Sequence, residues 1–291
     1  MERDIHYLVE QPAKNWYNLL PNFGGKAGMW RRSVLREYWW DEKILTEDIE
    51  LSYRVQSQGW RGIYLHVPTC LIELPPSLTA LKTQQRRWTA GFAQSLRKLW
   101  RPLVKSPRLT LGQKLETLLF LSTPITHLAA LSAIFLWVLA AILEPEATLS
   151  LWLTNPTFSI LLTLISISPN ISVIVGIIRN GEQKKRQLLS IPLMLTLAAA
   201  NLITNATGAL EGFLKDDLVF HRTTKYGITQ DSAKQRLYNS APHKTSRNSL
   251  ELAGALLIIA AATKLLFMGQ ATSAIPLAYI SFSWLVSFFQ K

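Results

Sequence analysis

The chain has 291 residues, 48% of them hydrophobic, and a formal net charge of +12 from 31 Lys and Arg against 19 Asp and Glu. That length admits one or two domains, and the positive mean hydropathy points to a substantial membrane-embedded part rather than a wholly soluble protein. In a chain with long apolar runs the basic balance is explained first by cytoplasmic loops and anionic headgroups; no DNA- or RNA-binding signature is present, and no nucleic-acid partner is expected.

A single cysteine, Cys70, excludes an intramolecular disulfide and a cysteine-based zinc cluster, and it is read as a packing residue. The first residues, Met1 to His6, carry acids and no apolar core, so they read as neither signal peptide nor signal anchor.

Residues 1–76 read as soluble and mixed α/β. The stretch Asn22-Phe23-Gly24-Gly25-Lys26-Ala27-Gly28 is a glycine-rich loop that permits unusual backbone angles and close approach to a ligand, but it lacks the Gly-Lys-Ser/Thr ending of a P-loop. Next come Thr46-Glu47-Asp48, then Ile49, Tyr53 and Val55 at near-helical spacing and Gly59 as a stop, which predicts a helix over 46–58. The plain reading of the triplet is a Thr N-cap with two acids favoured by the helix dipole. The chemical reading is an acid held at a cleft, able to take a proton from an attacking hydroxyl. Ile63, Leu65 and Val67 alternate with polar neighbours and predict a short strand after Trp60, with His66 structural.

Ser77, after two prolines, is a candidate N-cap for an amphipathic helix whose bulky residues fall at Leu78, Leu81, Trp88, Phe92, Leu96 and Leu99. On it Gln84, Arg87 and Trp88 stand at i, i+3 and i+4, so an amide, a guanidinium and an indole project from one face. Arg supplies planar donors for diphosphate oxygens, Trp a plate for a sugar ring and Gln a bond to a hydroxyl. The competing reading is an interfacial helix with arginines at headgroups and indoles in the aromatic belt.

Residues 117–143 and 147–178 contain no charge, and each is long enough to cross a roughly 30 Å hydrocarbon core. The turn between them has no Lys or Arg, whereas 179–186 has four, which places the first turn outside and the second in the cytoplasm. Residues 187–210 are uncharged but carry Asn201, Thr204, Asn205 and Thr207, and seven Lys or Arg follow within 211–247. The positive-inside rule therefore favours an interfacial or re-entrant segment over a crossing. Two final crossings are expected at 250–268 and 273–290, joined near Gly269, with Lys264 able to snorkel to the outer interface. Pro124, Pro169 and Pro276 are candidate kinks.

Taken in order, these motifs resemble the C-terminal part of the membrane-integrated family 2 glycosyltransferases, the group of cellulose synthases, mannan synthases and related bacterial polysaccharide synthases. Thr46-Glu47-Asp48 is similar to the family's Thr-Glu-Asp acceptor-site motif, and Gln84-Gln85-Arg86-Arg87-Trp88 matches its Gln-x-x-Arg-Trp motif. The stretch from Phe220 to Gly227 is similar to its cytoplasmic gating loop, with Thr224 where related bacterial synthases usually have Pro. The Phe23 to Gly28 loop resembles an acceptor-side Phe-Asn-Gly-Thr loop, with Gly24 and Lys26 in place of Asn and Thr.

The resemblance implies a partial GT-A-like α/β domain followed by an α-helical multi-pass membrane domain. Its parts would be the catalytic remainder at 1–76, amphipathic interface helices at 77–114, two spans plus the interfacial segment at 115–210, a gating-loop-like segment at 211–249 and two spans at 250–291. It further implies inverting transfer of a sugar from a nucleotide-sugar donor to a growing glycan, with Asp48 as base. Glu47, Gln84, Arg86, Arg87, Trp88, Gly24 and Gly25 would bind acceptor or donor, and Arg222, Thr223 and Lys225 would sit on the gating loop.

A divalent metal, Mg or Mn, is expected for the complete enzyme, but no Asp-x-Asp occurs in these residues. The ligands, and with them the nucleotide-binding half, are expected from a separate or missing part. The implied location is the plasma (inner) membrane, with the catalytic face cytoplasmic. Rival readings are an inactive membrane remnant of such an enzyme and a transporter-like protein; the latter leaves Asp48 and the Gln84 to Trp88 trio unexplained.

Overall fold

A computed structural model describes residues 6–67, 70, 72–145, 175, 189–220 and 249–289. The α-helices among the described residues are α1 (Gln11–Trp16), α2 (Arg32–Glu37), α3 (Glu47–Ser57), α4 (Leu78–Lys105), α5 (Leu111–Leu121), α6 (Thr123–Leu143), α7 (Ile191–Leu214), α8 (Ser249–Phe267) and α9 (Ala271–Phe289). The expected span at 147–178 and the gating-loop residues Arg222, Thr223 and Lys225 lie outside the described residues. By internal packing the chain divides into two compact units, one of 10–128 with 204–244, the other of 1–9, 129–203 and 245–291.

In the first unit α3 is the central element because both of its faces are apolar. Ile49 and Tyr53 pack with Leu20, Leu99, Leu103, Leu109 and Leu121. Leu51 and Val55 pack with Val34, and Trp30, Leu35, Tyr38 and Trp40 close over them. Glu47, Asp48 and Glu50 occupy its first turn, where the helix dipole favours acids, and Gly59 ends it at φ +96°. Thr46 stands at the N-cap, but its hydroxyl makes no cap bond and lies 3.3 Å from the Ser95 hydroxyl of α4.

Ser77 does cap α4, accepting the Ala80 amide at 3.2 Å. The two helices meet closely at Gly91, where a Cβ would stand 2.5 Å from the Thr46 side chain. α5 opens with a capping box between Thr110 and Gln113. Ser122 then separates α5 from α6, so the charge-free run 117–143 is two helices rather than one. Pro124 sits in the first turn of α6, where its missing N–H costs no helical bond.

The strand expected at 63–67 does not form, and among the described residues there is no strand, so the α/β character expected of the first 76 residues is not seen there. A strand is held by ladder bonds from a neighbouring strand. Here the backbone is met by side chains instead: Gly62 N donates to Gln56 Oε1 at 3.3 Å and Tyr64 N to Asn15 Oδ1 at 3.1 Å. Ile63, Leu65 and Val67 are exposed, as are His66 and Cys70, so Cys70 is not the packing residue expected of it.

In the second unit α8 and α9 form an antiparallel pair turned at Gly269, which has φ +74°. Gly254 lets the pair close, since a Cβ there would stand 2.5 Å from the Trp284 ring. Trp284 Nε1 donates to the Ala199 carbonyl at 3.0 Å, and Ser287 donates to buried Glu251 at 2.9 Å. Lys264 donates to the Ile142 carbonyl in the last turn of α6, where a cation meets the unsatisfied helix end.

The α6, α7, α8 and α9 helices are each long and apolar enough to cross a membrane, and large apolar residues such as Phe135, Leu136, Leu257 and Leu266 remain on the surface. Asn201, Thr204 and Asn205 of α7 are buried rather than turned outward.

Candidate active site

The glycine-rich loop is built from buried polar bonds before it reaches the acids. Gln11 Nε2 donates to Asn22 Oδ1 at 2.7 Å, Gln56 Nε2 to the Pro21 carbonyl at 2.8 Å, and Phe23 N to the Ser52 hydroxyl at 3.1 Å. Beneath Asn22 the buried Lys14 ammonium meets Glu116 at 2.9 Å and Tyr53 Oη at 3.2 Å. Burial lowers the Lys14 pKa and the Glu116 carboxylate opposes that shift. Anchored in this way, the loop turns at Gly25, with φ +73°, and a Cβ there would stand only 2.7 Å from Asp48 Oδ2. Glycine is required at 25 on both counts, backbone angle and close approach.

Asp48 Oδ1 accepts the Ile49 amide at 2.9 Å. Burial, with a smaller push from the Glu47 charge, raises its pKa from 3.8 to about 6, against the pull of the Ile49 amide and of Arg87. Such a carboxylate is ionised at neutral pH yet basic enough to accept a proton in a reaction. It lines a cavity of about 540 Å³ together with Phe23, Gly25, Trp40, Glu42, Ile44, Leu45, Glu47, Leu218 and Phe220. Leu45 is held there by its amide bond to Gln94 Oε1 of α4, at 3.0 Å.

The arginines of the Gln-x-x-Arg-Trp stretch part company. Arg86 makes a paired bond to Glu211 of α7, at 2.9 and 2.6 Å, which commits it to holding those helices together. Small residues allow the approach: a Cβ on Gly208 would stand 2.6 Å from the Arg86 carbonyl and one on Gly212 only 2.1 Å from that of Ala90. Arg97 adds an ion pair with Asp216. Arg87 instead is attracted to Glu47 and Asp48, stacks on the Phe220 ring at 4.2 Å, and keeps a buried Nε without a hydrogen-bond partner among the described residues. Gln84 is buried and Trp88 half-buried, and neither is among the lining residues.

Of the residues singled out from sequence, Gly25, Glu47 and Asp48 thus share one cavity, with Arg87 drawn to its acids. Trp40 and Glu42 line it without having been singled out, and so does Phe220, the first residue of the stretch likened to a gating loop. The adjacent Trp39 and Trp40 in a polar stretch were the available signal for the first. Among the described residues no group of three or more His, Cys, Asp or Glu side chains is arranged to hold a metal ion.

Residues 12–203 match a family model described as glycosyl transferase family group 2. The chain is 31% identical over 171 residues to glucomannan 4-beta-mannosyltransferase 7 of Arabidopsis thaliana, covering 57% of this chain and 31% of the relative. It is 30% identical over 156 residues to glucomannan 4-beta-mannosyltransferase 1 of Oryza sativa subsp. japonica, covering 52% and 30%. The chain therefore spans about a third of the length of the curated relatives it matches. No solved structure matches.

Proposed function

Because this chain belongs to glycosyl transferase family group 2, we propose that its Asp48 cavity receives the acceptor end of a growing glycan during inverting transfer of a hexosyl unit, mannosyl in the first instance, from a nucleotide-sugar donor. The observation that carries this reading is Asp48 itself, a carboxylate raised to about 6 by burial at the wall of a cavity. In the reaction the acceptor hydroxyl oxygen bonds to the anomeric carbon. The bond from that carbon to the nucleoside diphosphate breaks, its electron pair leaving on the diphosphate, and Asp48 takes the hydroxyl proton.

Arg87, half-buried and with an Nε–H that has no partner among the described residues, is the cation suited to the developing diphosphate charge, while Arg86 fixes the helix that presents it. Trp88 stacks on the acceptor sugar, and Arg222, Thr223 and Lys225 cover the donor. The nucleotide-binding half and the divalent metal, which would offset diphosphate charge, are supplied from outside the described residues.

The test is transfer from a panel of nucleotide hexoses in membranes carrying the full-length protein. Asp48→Asn is expected to lower turnover by about 10²- to 10⁴-fold, the usual contribution of a positioned base. Retained turnover in that variant, with Glu47→Gln inactive, would move the base to Glu47.

A further inference from the structure

The stretch 39–42, of which Trp40 and Glu42 line the cavity, is held far more firmly than a connection between α2 and α3 requires. The Trp39 carbonyl accepts Arg54 Nη2 at 2.6 Å, and Arg54 is itself fixed by Glu50 at 2.8 Å. On the other side of Trp40, Asp41 is paired with Lys98 at 2.6 Å and caps the Lys43 amide at 3.1 Å. Lys98 also reaches Glu50 at 2.8 Å, so one fully buried carboxylate anchors both cations. A buried charge is expensive to keep, and here its two partners clamp the backbone on either side of one tryptophan.

The Trp40 side chain is held as well. Its ring meets those of Phe23 and Trp30 at centroid distances of 6.2 and 5.8 Å, and it packs on the Val34, Leu51 and Val55 cluster. Trp40 and, two residues on, the exposed carboxylate Glu42 both line the cavity. The ten lining residues include three carboxylates, Glu42, Glu47 and Asp48, and no cation. Such a lining disfavours a nucleoside diphosphate within it, and the cation suited to that charge, Arg87, stands outside the lining behind Phe220. Neutral polyhydroxy rings suit the lining: the apolar face of a pyranose lies on an indole and its hydroxyls donate to carboxylates. The volume is that of an ordinary ligand pocket, and a plate rigid before binding loses little freedom when the sugar arrives.

We propose that Trp40 and Glu42 form a sugar subsite, with Trp40 the stacking plate for a neutral hexopyranose of the acceptor glycan and Glu42 the acceptor of its hydroxyl bonds. The assignment rests on the reading of the Asp48 cavity as the acceptor chamber and names its binding determinants.

The experiment is titration of β-1,4-mannotetraose into the full-length protein in nanodiscs, followed by calorimetry and saturation-transfer NMR, beside transfer assays on the same preparations. Trp40→Ala is expected to raise Kd for the tetraose at least about 10-fold and Trp40→Phe no more than about 3-fold. Glu42→Gln, at an exposed position that leaves folding intact, is expected to raise it about 3- to 10-fold. A nucleoside diphosphate should not displace the tetraose. Asp48→Asn should keep tetraose binding within about 3-fold while transfer is lost. Wild-type affinity in both Trp40→Ala and Glu42→Gln, or displacement of the tetraose by nucleoside diphosphate, overturns the subsite even where Asp48→Asn has abolished transfer. Loss of binding in Trp40→Ala with transfer intact in Asp48→Asn upholds the subsite and removes Asp48 as base.

Discussion

At the scale of single residues the sharpest consequence concerns Asp48. Its carboxyl is raised from 3.8 to about 6, chiefly by burial, so kcat/KM should fall about tenfold per pH unit below pH 6 as the base is protonated. The same shift has a stability counterpart of definite sign. The folded chain holds this proton more tightly than the unfolded one, so the contribution is present below about pH 4 and lost as the pH rises through about 6. Asp48→Asn, which never ionises, should therefore be the more stable protein at pH 8, by up to roughly 3 kcal/mol at about 1.36 kcal/mol per pKa unit. The difference should close below about pH 4, and thermal unfolding of both proteins across that range checks it. From sequence alone the change looked like the loss of one favourable dipole contact at a helix start; the burial of the carboxyl reverses its direction. Gly25→Ala should cost about 1–3 kcal/mol through its positive φ, and displace the carboxylate 2.7 Å away, so activity should fall further than stability predicts.

At the scale of elements, the site depends on α4 serving two neighbours at once. Gly91 receives Thr46 at the head of α3, and Arg86 to Ala90 receive Gly208 and Gly212 of α7. Gly208 and Gly212 meet backbone carbonyls of α4, so bulk there is resisted more than charge loss. Gly212→Val should destabilise by about 1–3 kcal/mol, as overpacking does. Glu211→Gln, which breaks a half-exposed ion pair, should cost under about 1 kcal/mol. Chemical denaturation of the two variants separates them; equal losses would mean that the arginine pair rather than the glycine stripe holds α7 to α4.

At the scale of the whole molecule, α7 decides the topology. The α7 helix has the length and apolarity of a crossing. Yet its C-terminal half and the residues after it bond to the helix that carries Arg86 and Arg87, through Glu211 and through Asp216. Residues 211–220 thus share a face with Asp48, and the seven Lys or Arg within 211–247 favour the cytoplasm. A reporter fused after Lys234 is expected to read cytoplasmic, as is one at either terminus. An outward-facing signal after Lys234 would make α7 a full crossing.

Sequence alone determined what depends on local pattern. The helices at 46–58, 78–99, 250–268 and 273–290 were legible because apolar period, caps and charge-free length act within a few turns of chain. The family was legible because two motifs and their spacing carry its chemistry. What only tertiary structure decided was which polar groups meet. Arg86 and Arg87 are neighbours of like charge, and nothing local says that one answers Glu211 while the other faces Asp48. The strand at 63–67 has the right alternation, but a strand exists only when another chain segment completes its hydrogen bonds. Trp40 read as one more tryptophan until Arg54 and Lys98, 14 and 58 residues further along, were seen to pin the backbone beside it. Such pairings are set by packing between distant segments, and no periodicity within one segment encodes them.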